Sequence, residues 1–368
     1  MRITELRLSQ FRNLESVGLK FCHGVHFFQG GNGQGKTNLL EAIYLLATLR
    51  SFRLQDLRGL VQKESKLAII EFEVEHDIEG STGVRIELLS DGKKQVFQDG
   101  ERLQNLADLL GKFPAIAMTS QDIQLIRGSP SIRRRAIDLH LSLLDPEYLP
   151  LLKRYHRALR ERNALLKDKK LIGILASYNV VLAESALLLM EKRSLWLPPL
   201  NECFKKIYRH FNANEAASIL WTQKKSIPSL KEYLEMLETN YQRDQRYQST
   251  QKGPHRDDLH FIFEENLAIE YASEGQQRSM VLALKLAQIK QIKKIKKVVP
   301  VLLADDILLE LDEDRRQSFW KSLPETMQIF ATGTEIPKFS PLAKSTPMFY
   351  KIERGKIRKK NPMDSLKV

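Results

Sequence analysis

The chain has 368 residues, 42% of them hydrophobic and 28% charged, enough to bury a sizeable core and to form about two domains. Lys and Arg number 58 against 45 Asp and Glu, a net charge of +13 that favours a polyanionic partner such as nucleic acid or an anionic membrane face. Two distant cysteines, Cys22 and Cys203, exclude a disulfide scaffold and a four-cysteine zinc site, and no run approaches the ~18 consecutive apolar residues of a membrane span.

The first hundred residues read as β-rich with one helix. Arg2 to Leu8 predicts a strand, and Val25 to Phe28 a second that ends at Gly30-Gly31. Leu39, Leu40, Ala42, Ile43, Leu45 and Leu46 have helical spacing within Thr37 to Thr48. Leu67 to Glu75 and Gly83 to Leu89 read as strands, with turns at Ser90-Asp91-Gly92 and Asp99-Gly100. From about Asn105 to Tyr247 glycine and proline thin out and helical patterns dominate. Pro146 to Leu149 opens one helix that runs past Leu165, Leu171 to Leu197 forms another that Pro198-Pro199 stops, and Ser229 to Arg246 forms a third. Strand signals return after Gly253: Leu259 to Phe263 alternates, Val298 to Leu303 runs apolar like a doubly buried parallel strand, and Met327 to Ala331 follows. The basic tail Lys351 to Lys360 reads as a frayed, solvated end. The simplest architecture is an α/β domain built from both chain ends, 1–115 and 251–368, around an inserted helical lobe, 116–250.

Gly30-Gly31-Asn32-Gly33-Gln34-Gly35-Lys36-Thr37 fits the P-loop pattern, with a strand before it and a helix after it. Such glycines let successive backbone amides curl around phosphate oxygens at a helix N-terminus. Lys36 would reach the β- and γ-phosphates and Thr37 would hold magnesium. Val301 to Ala304 followed by Asp305-Asp306 is a Walker B arrangement. Asp305 would hold the metal, and Asp306 would orient the attacking water. Ser273 and the amides near Gly275 form a helix N-cap suited to a phosphate, or an ordinary cap. Because the chain already has its own P-loop, such a second cap suits a partner's nucleotide. Arg133-Arg134-Arg135 and Lys290, Lys293, Lys294, Lys296 and Lys297 are solvated faces or DNA contacts. His255 and Arg256 brace neighbouring strands.

The set Phe11-Arg12-Asn13, Gly30 to Thr37, Ser273-Glu274-Gly275-Gln276, Asp305-Asp306 and Glu310-Leu311-Asp312 resembles an ABC-type ATPase head of the SMC-like branch. Within that branch the chain resembles the RecF family of recombination mediators. The more specific markers are Ser51-Phe52-Arg53, Gly128-Ser129-Pro130, Arg162 to Lys167 and Gly253 to Asp258. The resemblance implies an α/β fold, a P-loop ATPase head with an inserted helical lobe. It implies ATP and magnesium, slow DNA-stimulated hydrolysis, and an ATP-dependent homodimer on double-stranded and gapped DNA. It further implies cooperation with RecR and RecO in loading RecA, and a cytoplasmic location without a membrane partner.

Residue by residue, it makes Lys36 and Asp306 catalytic and Thr37, Asp305 and Gln121, at the Q-loop position, metal-binding. It assigns the nucleotide to Gly30 through Thr37, with Asn38, Arg12, the signature residues Ser273, Gly275 and Gln276, and the D-loop Asp312. The second Walker B acid is Asp306 rather than a glutamate, and Ala331-Thr332-Gly333-Thr334 lacks a switch histidine. Two alternatives stay open: a non-hydrolysing ATP-gated DNA scaffold, and an ATPase subunit of another system such as a transporter.

Overall fold

The structure is a computed structural model that describes residues 1–54, 56–76, 80–167, 174–222, 226–309, 311–336 and 347–360. In chain order the first elements are β1 (Arg2–Phe11), β2 (Leu14–Lys20), β3 (Val25–Gln29) and α1 (Lys36–Thr48). Then come β4 (Leu67–His76), β5 (Gly80–Leu89), β6 (Lys94–Gln98), β7 (Glu101–Arg102) and β8 (Ala115–Thr119). The middle of the chain forms α2 (Gln124–Arg127), α3 (Pro130–Leu144), α4 (Tyr148–Lys167), α5 (Leu175–Phe211), β9 (Ala217–Trp221), α6 (Leu230–Thr239) and α7 (Tyr241–Arg246). The last part holds β10 (Leu259–Phe263), β11 (Asn266–Leu267), α8 (Ala268–Tyr271), α9 (Glu274–Lys296), β12 (Val301–Asp305) and α10 (Glu313–Ser322). It ends with β13 (Ile329–Gly333), β14 (Met348–Glu353) and β15 (Lys356–Lys359).

The chain forms two units, Met1–Asp122 with Leu282–Val368, and Ile123–Val281. The units divide at 122/123 and 281/282, where the sequence reading places the divisions at 115/116 and 250/251; the antiparallel pairing of β9 with β10 keeps the segment after 250 in the middle unit.

The first unit contains two six-stranded sheets. One is antiparallel, ordered β2-β1-β4-β5-β6-β7. Period-2 alternation buries Leu6, Leu8, Ile70, Phe72, Ile86 and Val96 on one face and leaves Glu5, Arg7, Glu73 and Arg85 on the other. The other sheet is ordered β15-β14-β3-β13-β12-β8, and all its strands except the edge hairpin strand β15 run parallel. Val301 to Ala304 is buried throughout, as a strand covered on both faces requires. Helix α1 is buried along nearly its whole length and packs against β8, β12 and β13.

In the second unit α3, α4 and α5 pack around Tyr148, Tyr155, Leu182, Leu189 and Phe204, beside the small sheet β11-β10-β9. Three arginines are buried here, each with its partners. Arg162 bonds Asp244 at 2.8 Å, Asn179 at 2.7 Å and Thr250 at 2.7 Å. Arg193 reaches Asp138 at 2.9 Å and Asp257 at 3.0 Å. Arg133 makes a two-pronged contact with Asp258, both bonds at 2.7 Å. Guanidinium forks suit such planar pairing, and burial is tolerated because the charges are matched.

Several expectations need correction. Arg133 is a buried ion-pair partner, not part of a solvated face, whereas Arg135 is exposed. Helix α5 runs through Pro198 and Pro199 instead of ending there. Both prolines lie on its exposed side, where water can serve the carbonyls they leave unpaired, while Leu197, Leu200 and Phe204 are buried. The expected start of that helix at Leu171 lies outside the described residues. Strand β9 arises inside the expected helical stretch, and Ser229 to Arg246 breaks into two helices at Asn240. The tail Lys351 to Lys360 is no frayed end: β14 pairs with β3, β15 pairs with β14, and Lys360 Nζ bonds Gln29 Oε1 at 2.8 Å.

Candidate functional site

The parallel register brings the carboxyl ends of four strands to one edge. Gln29 of β3 is level with Gly333 of β13, and Asp305 of β12 is level with Thr119 of β8. Ligands of open α/β sheets bind beyond such ends. Gly30 to Gly35 leave β3 there and lead into α1. Lys36 is buried at 4% exposure, and its Nζ donates to the carbonyls of Gly30 at 2.8 Å and Gly31 at 3.2 Å. That contact curls the loop back on the start of its own helix.

Across the loop, Thr37 Oγ1 donates to Asp305 Oδ1 at 3.0 Å, and Thr332 Oγ1 donates to the same oxygen at 2.7 Å. Burial pushes the Asp305 carboxyl above the ordinary carboxylate range; the two hydroxyl bonds oppose this, and the neighbouring Asp306 charge adds to it. Asp306 has a left-handed backbone, φ 56°, and its N–H donates to Thr332 Oγ1 at 3.1 Å. Its Oδ1 is buried and has no hydrogen-bond partner among the described residues. Thr332 thus links both acids. The sequence singled out its segment only for lacking a histidine.

A polar chain supports the loop from outside. Asn13 Nδ2 donates to the Gln34 carbonyl at 3.2 Å, Asn38 Nδ2 to Asn13 Oδ1 at 2.7 Å, and Arg53 Nη1 to Asn38 Oδ1 at 3.2 Å. Arg12 is turned to Glu41, which is fully buried. Its Nη2 bonds Oε1 at 3.0 Å, and its Nε lies 2.6 Å from Oε2 without hydrogen-bond alignment. Ser51 Oγ also donates to Glu41 and accepts from the N–H groups of Arg53 and Leu54. The β14–β15 turn adds a second brace: Arg354 N–H bonds Gln34 Oε1 at 2.6 Å, and Gly355 N–H bonds the Gln34 carbonyl at 3.0 Å. Glu41 and the turn were not found from sequence, and Asn13, which the resemblance singled out beside Arg12, had no assigned contact, because each acts only through tertiary structure.

The remaining expected residues lie elsewhere. Gln121 is exposed, just past the end of β8. Asp312 caps α10 by accepting from Arg315 N–H at 2.9 Å, while its neighbour Glu310 lies outside the described residues. In the second unit Ser273 and Gln276 form a reciprocal cap at the start of α9, with bonds of 2.7 Å and 3.3 Å. Gln276 Nε2 also donates to Glu215 Oε1 at 2.7 Å, and Gly275 is half-buried beside it. His255 is held between Tyr155 Oη at 2.5 Å and the Thr250 carbonyl at 2.9 Å, and burial pushes its pKa down to about 4. It is a neutral brace within the buried arginine network.

The residues present fit a magnesium–nucleotide group. A Cβ at Gly30 would lie 2.6 Å from the Ile352 carbonyl oxygen, and Gly35 at φ 114° has Asn13 Oδ1 2.9 Å from where its Cβ would stand. Only glycine keeps this cradle of backbone amides closely packed. The Thr37 hydroxyl and Asp305 carboxylate supply hard oxygen donors, the kind magnesium uses together with phosphates. The unpartnered Asp306 oxygen leaves one acceptor free at the same edge.

The family described as "RecF/RecN/SMC N terminal domain" matches residues 2–351. The DNA replication and repair protein RecF of Geobacter sp. (strain M21) is 33% identical, covering 97% of this chain and 100% of that protein. RecF of Clostridium perfringens (strain 13 / Type A) is 32% identical over the same shares. A solved structure of the recombination mediator protein RecF with ATP, from the RecFOR pathway, aligns with a TM-score of 0.89 at 29% identity, covering 98% of this chain and 97% of that one. An Smc head bound to the C-winged helix domain of ScpA, at 16% identity, full coverage of both chains and a TM-score of 0.56, shares the fold. The P-loop edge has an ABC/SMC-type head fold around it and full-length relatives behind it: the chain belongs to the RecF family of DNA replication and repair proteins.

Proposed function

We propose that this chain is an ATP-switched DNA clamp. It binds magnesium–ATP at the parallel-sheet edge and hydrolyses it slowly, faster on DNA. ATP pairs two copies on double-stranded and gapped DNA, where the dimer acts with RecR and RecO to load RecA. The location is the cytoplasm, at the nucleoid when DNA is bound. The observation that carries this reading is the buried, unpartnered Asp306 Oδ1 beside the Thr37–Asp305 pair.

Each residue then has a distinct task. Lys36 exchanges its loop carbonyls for β- and γ-phosphate oxygens, and the amides of Gly31 through Asn38 hold the phosphates. Thr37 and Asp305 hold magnesium, with Gln121 completing its surroundings; the bound metal offsets phosphate charge. Asp306 Oδ1 accepts a hydrogen bond from a water and orients it for attack. Arg12 keeps the loop in place through Glu41. Ser273, Gly275 and Gln276 serve the nucleotide of the second copy, and Asp312 lies in the D-loop. DNA is held mainly through phosphates, by exposed residues such as Arg135, Lys290, Lys293 and Lys294.

Light scattering of the chain with and without magnesium–ATP, then with duplex and gapped DNA, tests the reading, alongside phosphate release. Dimers only with ATP, DNA retention that falls steeply with salt, and DNA-stimulated phosphate release are expected. A monomer under every condition would defeat it.

A further inference from the structure

The turn between β14 and β15 has two central residues, Arg354 at φ 49° and Gly355 at φ 77°. Two-residue hairpin turns with positive φ at both positions favour Asn-Gly, Asp-Gly or Gly-Gly. Glycine is required at the second position, because a Cβ on Gly355 would collide with the Asn13 carbonyl oxygen. The first position holds an arginine in a left-handed backbone that disfavours long side chains. Strained non-glycine residues that their surroundings hold in place cluster at ligand sites.

This turn is held against the P-loop. Arg354 N–H donates to Gln34 Oε1 at 2.6 Å, Gly355 N–H to the Gln34 carbonyl at 3.0 Å, and Asn13 Nδ2 to the same carbonyl at 3.2 Å. The order of the parallel sheet puts the turn and the acids on opposite sides of β3. On one side lies β14; on the other lie β13, with Thr332, and then β12, with Asp305. In the function proposed above, the acids take the metal and the γ-phosphate. The phosphates then run along the loop, and the nucleoside leaves on the β14 side.

The long side chains around the loop are committed, with one exception. Arg12 is turned to Glu41 and Arg53 to Asn38. Arg354 is exposed, and its guanidinium bonds no described residue. Neighbouring Glu353 is taken by Lys351 at 2.6 Å. Aromatic residues of the adjoining segments are turned elsewhere: Phe11 is fully buried, and Phe52 packs edge-on against Tyr44. A guanidinium is a planar cation that stacks on aromatic faces, nucleobases included.

We propose that Arg354 is the nucleoside-binding residue of this site, its guanidinium stacking on the purine base while the amides of the same turn hold the loop. The proposal rests on magnesium–ATP binding at this edge and adds a contact to the part of the nucleotide beyond the phosphates. Stacking tolerates any purine. Arg354 therefore selects a purine nucleoside triphosphate over bare triphosphate, and not adenine over guanine.

Isothermal titration of magnesium–ATP, magnesium–GTP and inorganic tripolyphosphate into the parent and its Arg354 variants tests this. Asparagine suits a left-handed turn, so Arg354→Asn should melt no lower than the parent. ATP and GTP should bind it about fivefold more weakly, and tripolyphosphate within about twofold of the parent. Arg354→Lys keeps the charge without the plane and should not recover parent affinity for ATP. Gly355→Ala displaces the turn from the loop and should weaken all three ligands together. If Arg354→Asn shows that same shared loss, the turn is a loop brace only and the proposal is overturned. ATP affinity equal to the parent's in Arg354→Asn or in Arg354→Lys overturns it as well. A parent that binds neither ATP nor tripolyphosphate defeats the nucleotide reading itself, so the two failures are distinguishable.

Discussion

Thr332→Val isolates the hydroxyl that ties the two acids together. The side chain is fully buried, donates to Asp305 at 2.7 Å and accepts from the Asp306 N–H at 3.1 Å. Valine nearly preserves the shape but removes both bonds. A hydrogen bond to a carboxylate contributes about 1.5–3 kcal/mol, and an N–H left buried and unpaired costs roughly 1–3 kcal/mol. Asp306 also sits at φ 56°, a conformation costing a non-glycine residue roughly 1–2 kcal/mol, and the same hydroxyl helps hold it there. The two losses overlap, because Asp305 remains bonded to Thr37, so the expected loss is about 2–4 kcal/mol. For a unit of this size that lowers the melting temperature by roughly 5–15 °C. Lys36 and the glycine loop are untouched, so ATP affinity should change little. On the proposed role of Asp306 in orienting the attacking water, hydrolysis should fall about tenfold or more, because that acid is misplaced. Thr332→Ser keeps the hydroxyl and should recover most of both losses. Calorimetry, nucleotide titration and phosphate release on the three proteins make the comparison. A valine variant that melts with the parent and hydrolyses at the parent rate would refute the link between Thr332 and the acids.

Arg162→Met leaves Asp244 as an unmatched charge at 0% exposure, so the helical unit should lose about 3–5 kcal/mol in denaturant melts; a change below 1 kcal/mol would contradict the matched-charge account. His255 is held neutral, its pKa pushed down from an ordinary ~6.5 to about 4. Above pH 6.5 neither folded nor unfolded chain is protonated there. Between pH 6.5 and 4 the unfolded chain takes the proton first, so stability falls with pH, by roughly 2 kcal/mol at pH 5. His255→Gln should remove that part of the slope between pH 7 and 5, and an unchanged slope would assign it elsewhere. Ser273→Arg should leave monomer ATP binding near normal while abolishing ATP-induced dimers and hydrolysis together. Loss of monomer binding would instead make Ser273 only a cap on α9.

Local patterns made much of the head legible. The P-loop needs glycine at strained or crowded positions and so announces itself in sequence, and the apolar run before Asp305 marks a doubly buried strand. What stayed hidden depends on register and burial. Thr332 reaches Asp305 only because β13 lies beside β12. Arg12 turns to Glu41, a carboxylate within an otherwise apolar helix pattern that gives no sign of being fully buried. The tail strands look solvated because β15 is an edge strand carrying basic residues, the composition that discourages further pairing. Proline at Pro198 and Pro199 predicts a stop, but burial on the opposite helix face overrides that local preference.

Asp306→Asn tests the central claim most directly. It preserves the shape of the edge and removes the charge of the unpartnered oxygen. Single-turnover hydrolysis and ATP affinity should be measured on the same preparation, with magnesium. The account predicts ATP affinity within severalfold of the parent, ATP-paired dimers that persist, and hydrolysis lowered by about a hundredfold or more. Hydrolysis at the parent rate would contradict it, leaving Asp306 as a structural end to β12.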